Sequence, residues 1–222
     1  MKEAADEAVD EAVDVVVLGS GAAGLVAAIV AADAGTSVAL FEKSDLVGGT
    51  SAMSGGVIWM PNNHHQGGSG IDDSREKALA YLESLSLGQI DSGMAATFVD
   101  TGPEVLRYLE ERTPCGFRLI ATYPDYHPEH PGGLPRGGRS LDNELFAFTE
   151  LGEWADRVRN HRGTAPLMLI ETPLGGATSM PEGAVIGERI KAKQNGMGLG
   201  LVGALLRGAL DRGIEPEMGS RA

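Results

Sequence analysis

Residues 14–28 read DVVVLGSGAAGLVAA. An apolar run opening on three valines enters a glycine-spaced turn and leaves it as a run of small residues. This junction restricts the fold more than anything else in the chain. Val13–Leu18 has the composition of a parallel strand buried on both faces. Ala22–Ala34 reads as a helix stopped by Gly35, and Thr36–Phe41 as a second buried strand. Strand, helix and strand over about 30 residues form a βαβ unit with a right-handed crossover. The expected fold class is therefore α/β, a Rossmann-like domain with a parallel sheet. Gly19, Gly21 and Gly24 have the spacing G-x-G-x-x-G. The first allows the tight turn, the second lets backbone approach a diphosphate, and the third lets the helix pack close to the strand. Backbone at Ser20, Ala22 and Ala23 completes the loop, where a helix N-terminus offers free N–H groups and partial positive charge.

The second strand ends in Glu42 and Lys43, and Glu42 lies 23 residues after Gly19. A carboxylate there accepts hydrogen bonds from ribose hydroxyls and repels a 2′-phosphate, which disfavours NADP. The stretch EKSDLVGGTSAMSGG then adds a second glycine-rich loop. Exchangeable NAD has little need of it. A flavin dinucleotide is larger and needs a loop along its diphosphate and ring. Gly48, Gly49, Thr50, Ser51, Ser54, Gly55 and Gly56 supply close backbone approach and small hydroxyl donors, so the expected cofactor is FAD.

Charge narrows the partners. A formal net charge of -13 repels phosphate backbones, which excludes nucleic acid and disfavours anionic membranes. Residues 15–32 are uncharged for 18 positions, the length of a marginal membrane span. The opening valines and three glycines argue against stable insertion, and the acidic leader, residues 1–12, is unlike a signal peptide. The default location is the cytoplasm. Cys115 is the single cysteine, so no internal disulfide forms and no thiolate zinc site is available. It reads as an inert, half-buried thiol.

Residues 13–112 read as the cofactor domain. Within them, Asp73 and Glu76 have capping-box spacing ahead of a helix striped by Ala78, Leu79, Leu82 and Leu85. A short helix over Ser92–Val99 and another over Thr101–Arg112, with Pro103 at its first turn, follow. Residues 113–187 are rich in proline, glycine and aromatics, as in an α+β substrate-facing segment. Residues 188–222 return to the cofactor domain with an apolar helix over 198–212, and the next sheet strand is expected to lie past the last residue. His64 and His65 read as surface residues pointing apart with no acidic ligand near, His127 and His130 as loop histidines, and no metal is expected. Arg136 and Arg139 sit among glycines and read as solvated loop charges, with a carboxylate clamp as the rival reading.

The stretch from Val15 to Asn63 resembles the fumarate reductase/succinate dehydrogenase flavoprotein family. GGTSAMSGG and IWMPNN resemble its 3-ketosteroid dehydrogenase branch, as does YPDYHPEHPGG followed by GGRS. The resemblance implies an FAD-dependent oxidoreductase that dehydrogenates a ketosteroid ring, with a steroid-like substrate and an electron acceptor it does not name. Covalently flavinylated members carry a histidine before the threonine of the second loop. Gly49 holds that place here, which implies non-covalent FAD. The resemblance also makes Tyr126 a catalytic candidate that supports a second tyrosine elsewhere in the family's chain, with Tyr123 lining the pocket. Family members are more than twice as long, so the chain is expected to be an N-terminal part, inactive alone. A fumarate reductase-like flavoprotein acting on a small dicarboxylate, and a partial FAD-binding module without turnover, are the alternatives.

Overall fold

The computed structural model describes residues 12–160 and 166–221. The leader assigned to residues 1–12 thus lies outside the described residues except for Ala12. Strands β1 (Val15–Leu18) and β2 (Val38–Glu42) pair in parallel, Val15 opposite Val38 through Leu18 opposite Phe41. Helix α1 (Ala22–Asp33) crosses between them and buries Leu25, Ala28 and Ile29. Next come β3 (Ile58–Trp59), α2 (Arg75–Ser86), α3 (Ser92–Arg112), β4 (Phe117–Leu119) and β5 (Ser140–Asn143). Antiparallel pairing gives the order β3-β5-β4. Strand β6 (Phe146–Ala147), helix α4 (Gly183–Lys191) and strand β7 (Gln194–Asn195) follow, with β6 and β7 antiparallel. Helix α5 (Met197–Leu210) and strand β8 (Glu217–Met218) complete the mixed α/β fold.

Helix α5 is the centre of the core. Val202, Leu205 and Leu206 are fully buried, each worth about 1.5–3 kcal/mol in apolar transfer. The helix packs on α1, on β6 and on a 3₁₀ turn at Ser51–Met53. Its first turn presses against the second glycine loop. A Cβ at Gly198 would lie 2.1 Å from the Ser51 carbonyl oxygen, so only glycine allows this approach. The cofactor loop is therefore braced from behind by a helix roughly 150 positions later in the chain.

Four expectations need correction. Strand β1 is not buried on both faces: Val17 is 8% exposed, but Val16 and Leu18 are 55% and 62% exposed. Val17 lies against Gly24 of α1, whereas Val16 and Leu18 point to the opposite face of the β1-β2-β8 sheet, which is left uncovered among the described residues. The cap of α2 is Ser74, whose hydroxyl accepts from Lys77 N at 3.2 Å, because Asp73 is turned toward Arg139. The helices expected on either side of Pro103 are one helix, α3. Gly102 precedes the proline and has no Cβ to clash with its ring, which lets the helix continue. Finally, a strand does follow α5. The turn at Gly213 returns the chain so that Glu217 and Met218 pair in parallel with Phe41 and Glu42.

Candidate functional site

A groove of about 770 Å³ lies at the C-terminal ends of β1 and β2, where open α/β sheets bind ligands. Leu18, Gly19 and Gly21 form one wall, and Phe41, Glu42, Lys43 and Ser44 a second. Gly49, Thr50, Ser51 and Met53 come from the next loop, and Arg159, Ser220 and Arg221 close the far side. Helix α1 follows its N-cap, Gly21, which has no side chain to cap it, and its first turn carries no acidic residue. Its dipole and the N–H groups after Ala22, whose amide goes to Ser51, thus remain oriented toward an anion. A Cβ at Gly24 would lie 1.9 Å from the Gly19 carbonyl oxygen, so the turn and the helix close on each other only with glycine here.

Serine hydroxyls join the two glycine loops. Ser51 Oγ accepts from Ala22 N at 3.1 Å. Ser20 is fully buried behind the groove; its hydroxyl donates to Glu42 Oε2 at 2.5 Å and accepts from Gly48 N at 3.1 Å. Glu42 Oε2 also accepts from Ser20 N at 2.9 Å, and Oε1 from Ser44 N at 3.0 Å. Burial pushes the Glu42 carboxyl up, but these bonds outweigh it and hold the group below the usual glutamate range. Among the described residues Glu42 is the only acid lining the groove, against Lys43, Arg159 and Arg221. On a protein of net charge -13, this concentration of cations suits a diphosphate.

Of the expected cofactor residues, Gly19, Gly21, Glu42, Lys43, Gly49, Thr50 and Ser51 line the groove. Ser20, Ala22, Ala23, Gly24, Gly48, Ser54, Gly55 and Gly56 are not among its lining residues. Of these, Gly56 packs against Asn143 and the start of α5. Arg159 was not legible in the sequence. It reaches the groove because Val47 N donates to Arg157 O and Arg159 N to Val47 O, both at 2.8 Å, and its guanidinium then donates to Ser44 Oγ at 2.7 Å.

A second cavity, about 340 Å³, is lined mainly by apolar and aromatic groups, among them Val57, Trp59, Tyr81, Leu82, Leu85, Tyr123 and Tyr126. Tyr123 and Tyr126 meet edge to face at 6.3 Å, with Tyr126 83% exposed. Burial, with the adjacent Tyr126 hydroxyl, pushes the Tyr123 hydroxyl up. Between them Asp125 is buried. It accepts from Trp59 Nε1 at 2.7 Å, Leu134 N at 2.9 Å and Arg139 Nη1 at 2.9 Å.

Arg139 is not a solvated loop charge. It is fully buried, paired with Asp73 at 2.6 Å and Asp125 at 2.9 Å, and its guanidinium lies 5.4 Å from the Trp59 ring centroid and 5.6 Å from that of Tyr81. Burial raises the Asp73 carboxyl, yet bonds from Arg139, Asn62 N and Gln66 keep it below the usual aspartate range. Arg136 lines a separate polar cavity. The histidine pair also departs from expectation. His64 and His65 do not point apart: their rings meet at a tilt of 33°, with centroids 4.3 Å apart, and both Nε2 atoms lie 2.8 Å from the Glu110 carboxylate. Cys115 is buried, and desolvation pushes its thiol up to about 11. Among the described residues no helix is long and apolar enough to cross a membrane.

Residues 14–217 match the family of FAD binding domains. The chain is 39% identical over 208 residues to 4-oxocyclohexanecarboxylate 2-dehydrogenase of Sinomonas cyclohexanicum, covering 93% of this chain and 36% of that protein. It is 35% identical over 219 residues to 3-oxosteroid 1-dehydrogenase of Mycobacterium tuberculosis, covering 92% and 39%. Among solved structures, the 3-ketosteroid delta1-dehydrogenase of Sterolibacterium denitrificans, in complex with 1,4-androstadiene-3,17-dione, superposes with a TM-score of 0.79 at 29% identity, covering 93% of this chain and 40% of that one. The chain thus spans about two fifths of the length of these relatives. The start of α1, the two glycine loops and the cationic groove fit the cofactor that this match implies: the chain belongs to the FAD binding domain family.

Proposed function

We propose that this chain is the cofactor-binding and substrate-entry part of an oxidoreductase that dehydrogenates a six-membered cyclic ketone, most favourably a 3-ketosteroid. The tyrosine-lined apolar cavity carries this reading. FAD, when bound, supplies a hydride acceptor at N5. The chain's own residues then bind and orient. Gly19, Gly21, Gly49, Thr50 and Ser51 take the diphosphate, Glu42 the ribose, and the cofactor is held without a covalent bond. Trp59, Tyr81 and Tyr123 exclude water and pack on a flat ring system, and the Tyr126 hydroxyl is the group available to move a proton or to support one that does. On this reading residues 13–112 and 188–222 serve the cofactor and residues 113–187 serve the substrate. A dicarboxylate substrate fits less well, because the guanidinium of Arg139 is already committed to Asp73 and Asp125.

The test uses the protein in its full length with FAD bound, kept anaerobic. A 3-ketosteroid is expected to bleach the flavin absorbance, 4-oxocyclohexanecarboxylate to do so more slowly, and succinate not at all. Bleaching by succinate alone would establish the dicarboxylate reading instead. Residues 1–222 alone are expected to bind FAD weakly and to turn over none of the three, and steroid turnover by that piece would refute this expectation.

A further inference from the structure

We propose that His64, His65 and Glu110 bind a divalent ion of the zinc class. The two imidazoles come from a single 3₁₀ turn, His64–Gln66, and the carboxylate from the last turn of α3. Each Nε2 lies 2.8 Å from its own oxygen of that one carboxylate, and all three groups are only one-fifth to one-third exposed. Two neutral imidazoles and one carboxylate make up a three-ligand zinc donor set, with water as the fourth ligand. Metal–ligand bonds of about 2.0–2.1 Å in a tetrahedron separate ligand atoms by about 3.3 Å, and the three ligand atoms here all lie within 4.8 Å of one another, so modest side-chain shifts bring them to one ion. One further feature favours a cation over a plain ion pair: Glu110 sits in the last turn of α3, at the negative end of the helix dipole.

The ion would fasten the segment after β3 to α3. That segment holds the core of the tyrosine cavity in place, because Asp73 accepts from Asn62 N at 2.9 Å and from Gln66 at 3.0 Å while pairing with Arg139. The inference does not rest on the redox chemistry proposed above, and its test reads metal binding rather than turnover.

Chelator-stripped full-length protein is titrated with Zn²⁺ by calorimetry, and with Co²⁺ by visible absorbance, whose band intensity reports coordination number. One saturable equivalent is expected, with tetrahedral Co²⁺ bands and a Zn²⁺-dependent rise in Tm. His65→Gln and Glu110→Gln, which keep side-chain size, are each expected to weaken binding at least tenfold and to abolish the rise in Tm. His127→Ala, in the group of exposed His127 and Glu129 with half-buried His130, is expected to leave all three readouts unchanged. Absence of saturable binding, unchanged affinity in both His65→Gln and Glu110→Gln, or loss of binding in His127→Ala would each overturn the proposal. Circular dichroism of each variant before titration shows whether a loss of binding comes from unfolding, and His64→Gln repeats the measurement if either conservative variant does not fold.

Discussion

Replacing Arg139 by methionine keeps most of the side chain's length and removes its charge. Asp73 and Asp125 then face each other without a cation, and both side chains are at most 2% exposed. Removing one partner of a buried ion pair costs about 3–5 kcal/mol, chiefly because the remaining charge stays desolvated. That is a large share of a typical stability of about 5–15 kcal/mol. The pH dependence identifies the cause. In the native chain the Asp73 carboxyl lies below its unfolded value, so its contribution is present at neutral pH and is lost as pH falls through the folded value. In Arg139→Met the same group, buried and unpaired, rises above its unfolded value. Its contribution then has the opposite slope: the variant's deficit is greatest at neutral pH and shrinks on acidification. Urea unfolding of both proteins at several pH values between neutral and acid measures this directly. A loss below about 1 kcal/mol, or a deficit that does not shrink with acid, would refute the buried-network account.

Glu42→Ala is expected to weaken FAD binding by about 1–3 kcal/mol, as measured by flavin fluorescence quenching; unchanged affinity would remove Glu42 from the ribose contact. Gly24→Ala places a methyl against the Gly19 carbonyl and is expected to cost about 1–3 kcal/mol of stability together with most of the flavin content, read by a thermal melt and by acid-released FAD. Tyr126→Phe changes an exposed side chain, so stability should stay within about 0.5 kcal/mol while turnover of a cyclic ketone by the full-length protein falls about 10²-fold or more. Cys115, buried and with its thiol pushed up to about 11, should resist iodoacetamide at neutral pH until denaturant is added.

The parts of the fold that follow from local rules could be read from the chain. The first βαβ unit, its glycine loop and the acid that ends β2 are encoded within residues 13–42, where period and spacing suffice. Other features depend on contacts between distant segments. Arg159 enters the groove through two backbone bonds to Val47, and nothing near Arg159 in sequence signals it. Arg139 looked solvated because its neighbours are glycines, yet its carboxylate partners lie 66 and 14 residues earlier. Strand β8 is two residues long, too short for any periodicity to reveal. His64 and His65 would diverge in extended backbone; the 3₁₀ turn is what brings both rings to one carboxylate.

The hydrogen bonds at Glu42 set a limit on what the groove can accept. A carboxylate has about four lone-pair sites. Ser20 N, Ser20 Oγ and Ser44 N already occupy three of them. One ribose hydroxyl can therefore be taken up with no rearrangement, whereas a second must displace a serine. A displaced Ser20 would release Gly48 N as well, since that amide shares the same hydroxyl. If Glu42 takes the ribose as proposed, occupancy of that position is thereby linked to the geometry of the second glycine loop, so that the ribose and diphosphate contacts are coupled through one serine hydroxyl.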